Sequence, residues 1–80
     1  MRLDQWLWAV RLYKTRTLAA EAVKGGHVKV NGDAVKPARE VKPGDLVVAR
    51  CGQMTRTLKV LGSPDNRVGA KLVPQFAEDL

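Results

Sequence analysis

Apolar side chains recur at a helical interval along the first dozen residues. Leu3, Trp6, Leu7 and Val10 stand at i, i+3, i+4 and i+7, the stripe of an amphipathic helix. Asp4 falls in the first turn, where negative charge suits the helix dipole. Asp4, Trp8 and Arg11 share the opposite flank. The pattern predicts a first helix over about Arg2 to Leu12. Tyr13-Lys14-Thr15 has room only for a turn, and the Thr15 hydroxyl can cap a second helix. Leu18, Ala19, Ala22 and Val23 then give one apolar face, and Gly25-Gly26 closes the segment as glycine closes helices. The second helix is expected over about Arg16 to Lys24.

Beyond Gly26 the period shortens to two. Val28 and Val30 alternate with Lys29, and Asn31-Gly32 follows. That dipeptide is the strongest two-residue hairpin signal, because both turn positions take positive φ. Ala34 and Val35 begin a return strand that Pro37 ends, since proline donates no ladder hydrogen bond. Pro43-Gly44-Asp45 turns the chain into Leu46 to Arg50, an apolar run suited to a buried strand. Gly52-Gln53 turns it again into Thr55 to Leu61, where Leu58 and Val60 share a side with Arg56. The expected fold is α+β: two N-terminal helices packed on a small antiparallel sheet of three to five strands. Residues 1–61 form the domain. Residues 62–80 read as a C-terminal tail, a short helix before Pro74 or a partly disordered stretch.

Composition narrows the function. Eighty residues make one small domain, which buries only about 60% of the surface its unfolded chain exposes. With 45% hydrophobic and 28% charged residues, the chain has the make-up of a globular domain. One cysteine, Cys51, excludes an internal disulfide. One histidine, His27, with one cysteine excludes a tetrahedral zinc site built from those two types alone. No apolar run approaches the ~20 residues of a membrane span, and Met1-Arg2-Leu3-Asp4 does not read as a signal peptide. A cytoplasmic location is expected, with no membrane partner. The 14 Lys and Arg against 8 Asp and Glu leave a net charge of +6. Such an excess on so compact a chain favours a polyanionic partner.

Catalysis finds little support. There is no phosphate-binding glycine loop followed by Lys-Ser or Lys-Thr, and no pair of carboxylates at helical spacing. Cys51 closes an apolar strand, where an inert buried thiol is the common state. No cofactor and no metal are expected. Binding is better founded. Lys14-Thr15-Arg16-Thr17 places two cations and two hydroxyls at a helix N-terminus, whose free amides favour an anion. The plainer use is a cap with solvated cations. Arg16 and Lys24 lie two turns apart on nearly one line of the second helix. His27 and Lys29 point away from the Val28/Val30 face, so the basic ribbon runs on to the first hairpin. Gly25-Gly26 beside those cations permits close approach of a sugar-phosphate chain. Trp8 and Tyr13 could stack on an unpaired base; filling the helix-to-sheet junction is the expected use of Trp8.

These residues also carry a family likeness. Arg2-Leu3-Asp4, Trp6-Leu7, Thr15-Arg16-Thr17-Leu18-Ala19, Gly26-His27-Val28-Lys29-Val30-Asn31-Gly32 and Pro43-Gly44-Asp45, in that order, resemble the S4 RNA-binding domain. The likeness covers about residues 2 to 50. Trp6-Leu7-Trp8, Tyr13-Lys14-Thr15-Arg16 and Lys36-Pro37 are most similar to the free-standing, ribosome-associated heat-shock members of that family. The resemblance implies an RNA-binding motif made of the two helices and the following hairpin. It implies an RNA surface including Arg2, Arg11, Lys14, Thr15, Arg16, Thr17, Lys24, His27 and Lys29, with Asn31 and Gly32 shaping the turn. It also implies partners: ribosomal RNA, transfer RNA, and the large ribosomal subunit stalled with a nascent chain. Those members have a longer, more charged C-terminal helix, whereas Pro74 interrupts the corresponding stretch here.

The reading is therefore a non-catalytic, monomeric binder of structured RNA. Two alternatives stay open. The same surface could bind DNA, although Ala19, Ala20, Ala22 and Val23 leave the second helix few side chains for reading bases. Trp8 and the tail could instead meet a protein partner in assembly.

Overall fold

A computed structural model describes all residues, 1–80. Helix α1 spans Leu3–Ala9 and buries Leu3, Trp6 and Leu7 completely. It ends three residues before the expected Leu12. The Leu12 N–H bonds back to the Leu7 carbonyl at 3.0 Å and the Arg11 N–H to the Trp8 carbonyl at 3.0 Å. This is a Schellman closure, and it needs a left-handed residue after the cap. Arg11 takes that place at φ 67°. No glycine marks the position, so the hydrophobic stripe alone overruns it.

Helix α2 spans Arg16–Lys24, as the pattern predicts. The Thr15 Oγ1 accepts from the Leu18 N–H at 3.0 Å, the expected cap. The far end closes in the same manner as α1, with His27 bonded to the Ala22 carbonyl and Gly26 to the Val23 carbonyl. Here Gly26 supplies the positive φ of 80°. Only Ala19 and Val23 of the expected apolar face are buried; Leu18 is 46% exposed.

Five strands form one antiparallel sheet in the order β2-β1-β3-β4-β5. They are β1 (Val28–Val30), β2 (Asp33–Ala34), β3 (Leu46–Cys51), β4 (Met54–Val60) and β5 (Ala77–Asp79). Asn31 and Gly32 both take positive φ in the β1–β2 turn, as a two-residue hairpin of this handedness requires. Register places Val30 opposite Val47 and Val47 opposite Leu58. Those side chains, with Val28, Ala49, Val60 and Ala77, meet Leu3, Trp6, Leu7, Val10, Ala19 and Val23 in a single core. The alternate positions, among them Lys29, Leu46, Arg50 and Lys59, are exposed on the other face.

The segment after β4 is tied into this fold. The Trp6 indole N–H donates to the Gly62 carbonyl at 3.0 Å, which lets a fully buried tryptophan satisfy its one donor. Arg67 and Val68 reach the end of α1. The Val68 N–H bonds the Ala9 carbonyl, and the Arg67 Nε donates to the Trp8 carbonyl at 3.2 Å. A 3-10 helix over Ala70–Gln75 contains Pro74, and β5 then pairs with β4. Phe76 packs against the core, while the Leu80 side chain stays exposed. No helix is long and apolar enough to cross a membrane.

Candidate nucleic-acid interface

Helix α2 and its two ends carry four of the fourteen Lys and Arg side chains: Lys14, Arg16, Lys24 and Lys29. Thr15 satisfies the Leu18 amide, which leaves the Arg16 and Thr17 amides, at the start of the helix, aimed at solvent. Lys14, Thr15, Arg16 and Thr17 are all exposed around that terminus. At the other end Lys24, His27 and Lys29 are exposed as well. None of Lys14, Arg16, Lys24 or Lys29 enters a salt bridge; the three ion pairs of the molecule lie elsewhere. These cations are thus free of intramolecular neutralisation. Lys29 and His27 project from the sheet face opposite Val28 and Val30, as expected from the alternation.

Gly25 has a steric task in this arrangement. A Cβ there would stand 3.0 Å from Cδ2 and 3.1 Å from Nε2 of His27. The bare backbone therefore lets the imidazole lie against the end of α2.

Two of the expected residues are engaged differently. Arg2 grips Asp4 through two parallel bonds, Nε to Oδ1 at 3.1 Å and Nη2 to Oδ2 at 3.0 Å. Asp4 is buried and also accepts from the Gln5 N–H, so it fixes the direction of a guanidinium that stays half exposed. Arg11 sits in the strained turn after α1, its Nη1 3.4 Å from the Val68 carbonyl oxygen. Both stand apart from the free ribbon on α2.

Two arginines that sequence reasoning passed over, Arg67 and Arg50, shape the surface together with Trp8 and Tyr13. Trp8 does not fill the helix-to-sheet junction. It is half-buried under Arg67, whose guanidinium carbon lies 5.8 Å from the ring centroid. Arg67 Nη2 also donates to the Tyr13 carbonyl at 3.3 Å, pinning the turn that carries Lys14. The Tyr13 hydroxyl donates to the Arg50 carbonyl at 2.7 Å. Burial, and then the neighbouring Cys51 thiol, push the Tyr13 phenol above its ordinary range, so it is a donor at any physiological pH. Arg50, assigned from sequence only to a buried strand, is exposed at the end of β3. Leu46 to Ala49 are all apolar, so no alternation marked Arg50 as outward-facing; the pairing of β3 with β1 decides it.

No three His, Cys, Asp or Glu side chains converge as a metal site. Cys51 is half-buried beside Tyr13. A cavity of about 380 Å³ at the end of α1 is lined mostly by apolar groups such as Val10, Leu58 and Val73.

Comparison with known proteins identifies the family and the fold. The S4 domain family matches residues 1–47. The heat shock protein 15 homolog of Aeromonas salmonicida is 42% identical over 79 residues, covering 99% of this chain and 60% of that protein. Heat shock protein 15 of Escherichia coli K12 is 43% identical over 67 residues, covering 84% and 50%. The RQC P-site tRNA stabilizing factor of Bacillus subtilis is 45% identical over 60 residues, covering 75% and 70%. The chain thus spans 50–60% of the length of the first two relatives. Among solved structures, heat shock protein 15 of Vibrio cholerae, described as trimeric, superposes with a TM-score of 0.95. It is 40% identical and is matched over 81% of its chain and all of this one. With a family match over more than half its residues and the same two helices on the same sheet, the chain belongs to the S4 domain family.

Proposed function

We propose that this protein binds structured RNA without catalysing a reaction, and that it does so on the large ribosomal subunit during rescue or recycling of stalled ribosomes. The observation that carries the reading is the ribbon of unpaired cations along α2. Lys14 and Arg16 stand at its start and Lys24 and Lys29 at its end, with the His27 ring beside them. Arg16 offers a planar fork of donors suited to phosphate, beside two free helix-terminal amides. Lys24 offers a point charge about two turns away, and Lys29 another on β1. Contacts of this kind read the path of the backbone, which suits folded ribosomal or transfer RNA. The relatives called heat shock protein 15 and RQC P-site tRNA stabilizing factor support the ribosomal setting. In this reading the protein works in the cytoplasm as a monomer.

The salt dependence of binding tests the ribbon. Each phosphate contact contributes about 0.7–0.9 to the slope of log K against log salt. An Arg16→Ala, Lys24→Ala double variant is expected to lower that slope by roughly twice this amount. An unchanged slope would exclude the ribbon as the contact. Competition between labelled transfer RNA and duplex DNA of equal length separates RNA from DNA: efficient displacement by the duplex would count against the reading.

A further inference from the structure

A second cluster lies where the end of α2 meets the sheet. The Arg50 N–H donates to the His27 carbonyl at 2.9 Å, which continues the β1–β3 ladder one step beyond Val28 and Ala49. His27 and Arg50 are therefore cross-strand neighbours, and their side chains leave the sheet on the same face as Lys29. Between them and Gly52 is an open surface hollow of about 340 Å³. No apolar side chain lines it. Arg50 forms no salt bridge.

The backbone under this cluster is held on both sides. His27 takes the Arg50 N–H, and the Tyr13 hydroxyl takes hold of the Arg50 carbonyl at 2.7 Å. Tyr13 precedes Lys14, so one hydrogen bond links the start of the basic ribbon to the end of β3. The imidazole is set by the missing Cβ of Gly25. Gly52, at φ 65°, turns the chain tightly and leaves its side of the hollow without a side chain. A guanidinium fork, an imidazole and bare glycine backbone around a hollow that no hydrophobic residue lines make a seat for an anion with hydrogen-bonding oxygens.

We propose that His27 and Arg50 seat a backbone phosphate of the bound RNA, a contact separate from the one at the start of α2. The proposal rests on the RNA-binding reading above and extends it: the RNA chain crosses from α2 onto the β3–β4 hairpin, beyond the two helices and the first hairpin. Arg50 supplies the charge, His27 a second donor, and Gly52 the clearance.

Fluorescence anisotropy with end-labelled transfer RNA, titrated over a range of KCl concentrations, tests this on the full chain. Arg50→Ala should weaken binding about three- to tenfold and lower the salt slope by about 0.7–0.9. Arg50→Lys should restore most of the slope, and Arg50→Ala combined with Arg16→Ala should show both losses. If Arg16→Ala weakens binding while Arg50→Ala matches wild type in affinity and slope, the second seat is wrong and the α2 contact stands. If neither variant changes either quantity, both readings fall. Should Arg50→Ala unfold, NMR of the wild-type protein decides: the His27 ring protons and the Arg50 Nε–H must shift as transfer RNA is added, and unshifted signals overturn the proposal. Saturation of those signals by an acidic peptide, with no shift from RNA, would overturn it in favour of a protein partner.

Discussion

The Tyr13 hydroxyl and the Arg50 carbonyl oxygen are 2.7 Å apart, although they stand 37 positions apart in sequence. This bond joins the α1–α2 turn to the end of β3. It crosses from the helical layer to the sheet beside the basic surface. Tyr13→Phe keeps the ring and removes the donor, at an expected cost of about 1 kcal/mol. The phenol is raised above its ordinary range by burial first and then by Cys51. Above pH of about 10 the unfolded chain ionises this group while the folded chain does not, so the folded state binds more protons and stability falls as pH rises. Tyr13→Phe should flatten that alkaline limb in urea titrations. The chain has a single tyrosine, so phenolate absorbance reports on it alone.

Arg11 occupies the left-handed turn that ends α1, at φ 67°. A non-glycine residue there costs roughly 1–2 kcal/mol, and glycine costs part of that back in unfolded-state entropy. Arg11→Gly is expected to stabilise the protein by about 0.5–1 kcal/mol in chemical denaturation. If Arg11 also meets RNA, the same variant binds more weakly while melting higher. A lower melting temperature would show that the Arg11 contact with the Val68 carbonyl outweighs the strain.

Asn31 and Asp45 clasp the hairpin turn to the start of β3. The Asn31 amide donates to Asp45 Oδ1 at 3.1 Å, the Lys42 N–H donates to Asp45 Oδ2 at 2.9 Å, and the Leu46 N–H donates to Asn31 Oδ1 at 2.9 Å. Desolvation pushes the Asp45 carboxyl up, but the two hydrogen bonds and the charges of Arg39 and Lys42 hold it below the usual aspartate range. Its contribution is present above the unfolded value of about 3.9 and is lost as pH falls through the lower folded value. Asp45→Asn should make the acid limb of the stability curve shallower between about pH 5 and pH 2. An unaltered acid limb would mean that other carboxylates govern it.

Arg67 holds three things at once: the Trp8 ring, the Trp8 carbonyl and the Tyr13 carbonyl. Arg67→Ala should destabilise by about 1–3 kcal/mol, the sum of a half-buried cation–π contact and charge-assisted bonds. Arg67→Lys keeps the charge but cannot span both carbonyls, so it should recover only part of the loss. Trp8 should become more exposed in both variants, read as a red shift of tryptophan fluorescence. Unchanged stability in Arg67→Ala would mean that residues 62–69 fasten α1 without this side chain.

Local patterns alone determined the helical pair, the Thr15 cap, the full span of α2 and the Asn31-Gly32 hairpin. Each depends on residues within four positions of one another, where a spacing or a turn preference translates directly into backbone geometry. The exposed cations of α2 were legible for the same reason. Tertiary structure decided the rest. Arg11 adopts a conformation that its own side chain disfavours, because the closure of α1 and the docking of Val68 require it. Residues 77–79, expected in the tail, become the fifth strand only because β4 offers an unpaired edge. Arg50 joins His27 through a ladder that brings distant segments together. Long-range hydrogen bonds and shared burial carry no local signature, so only the folded chain could reveal what they assemble.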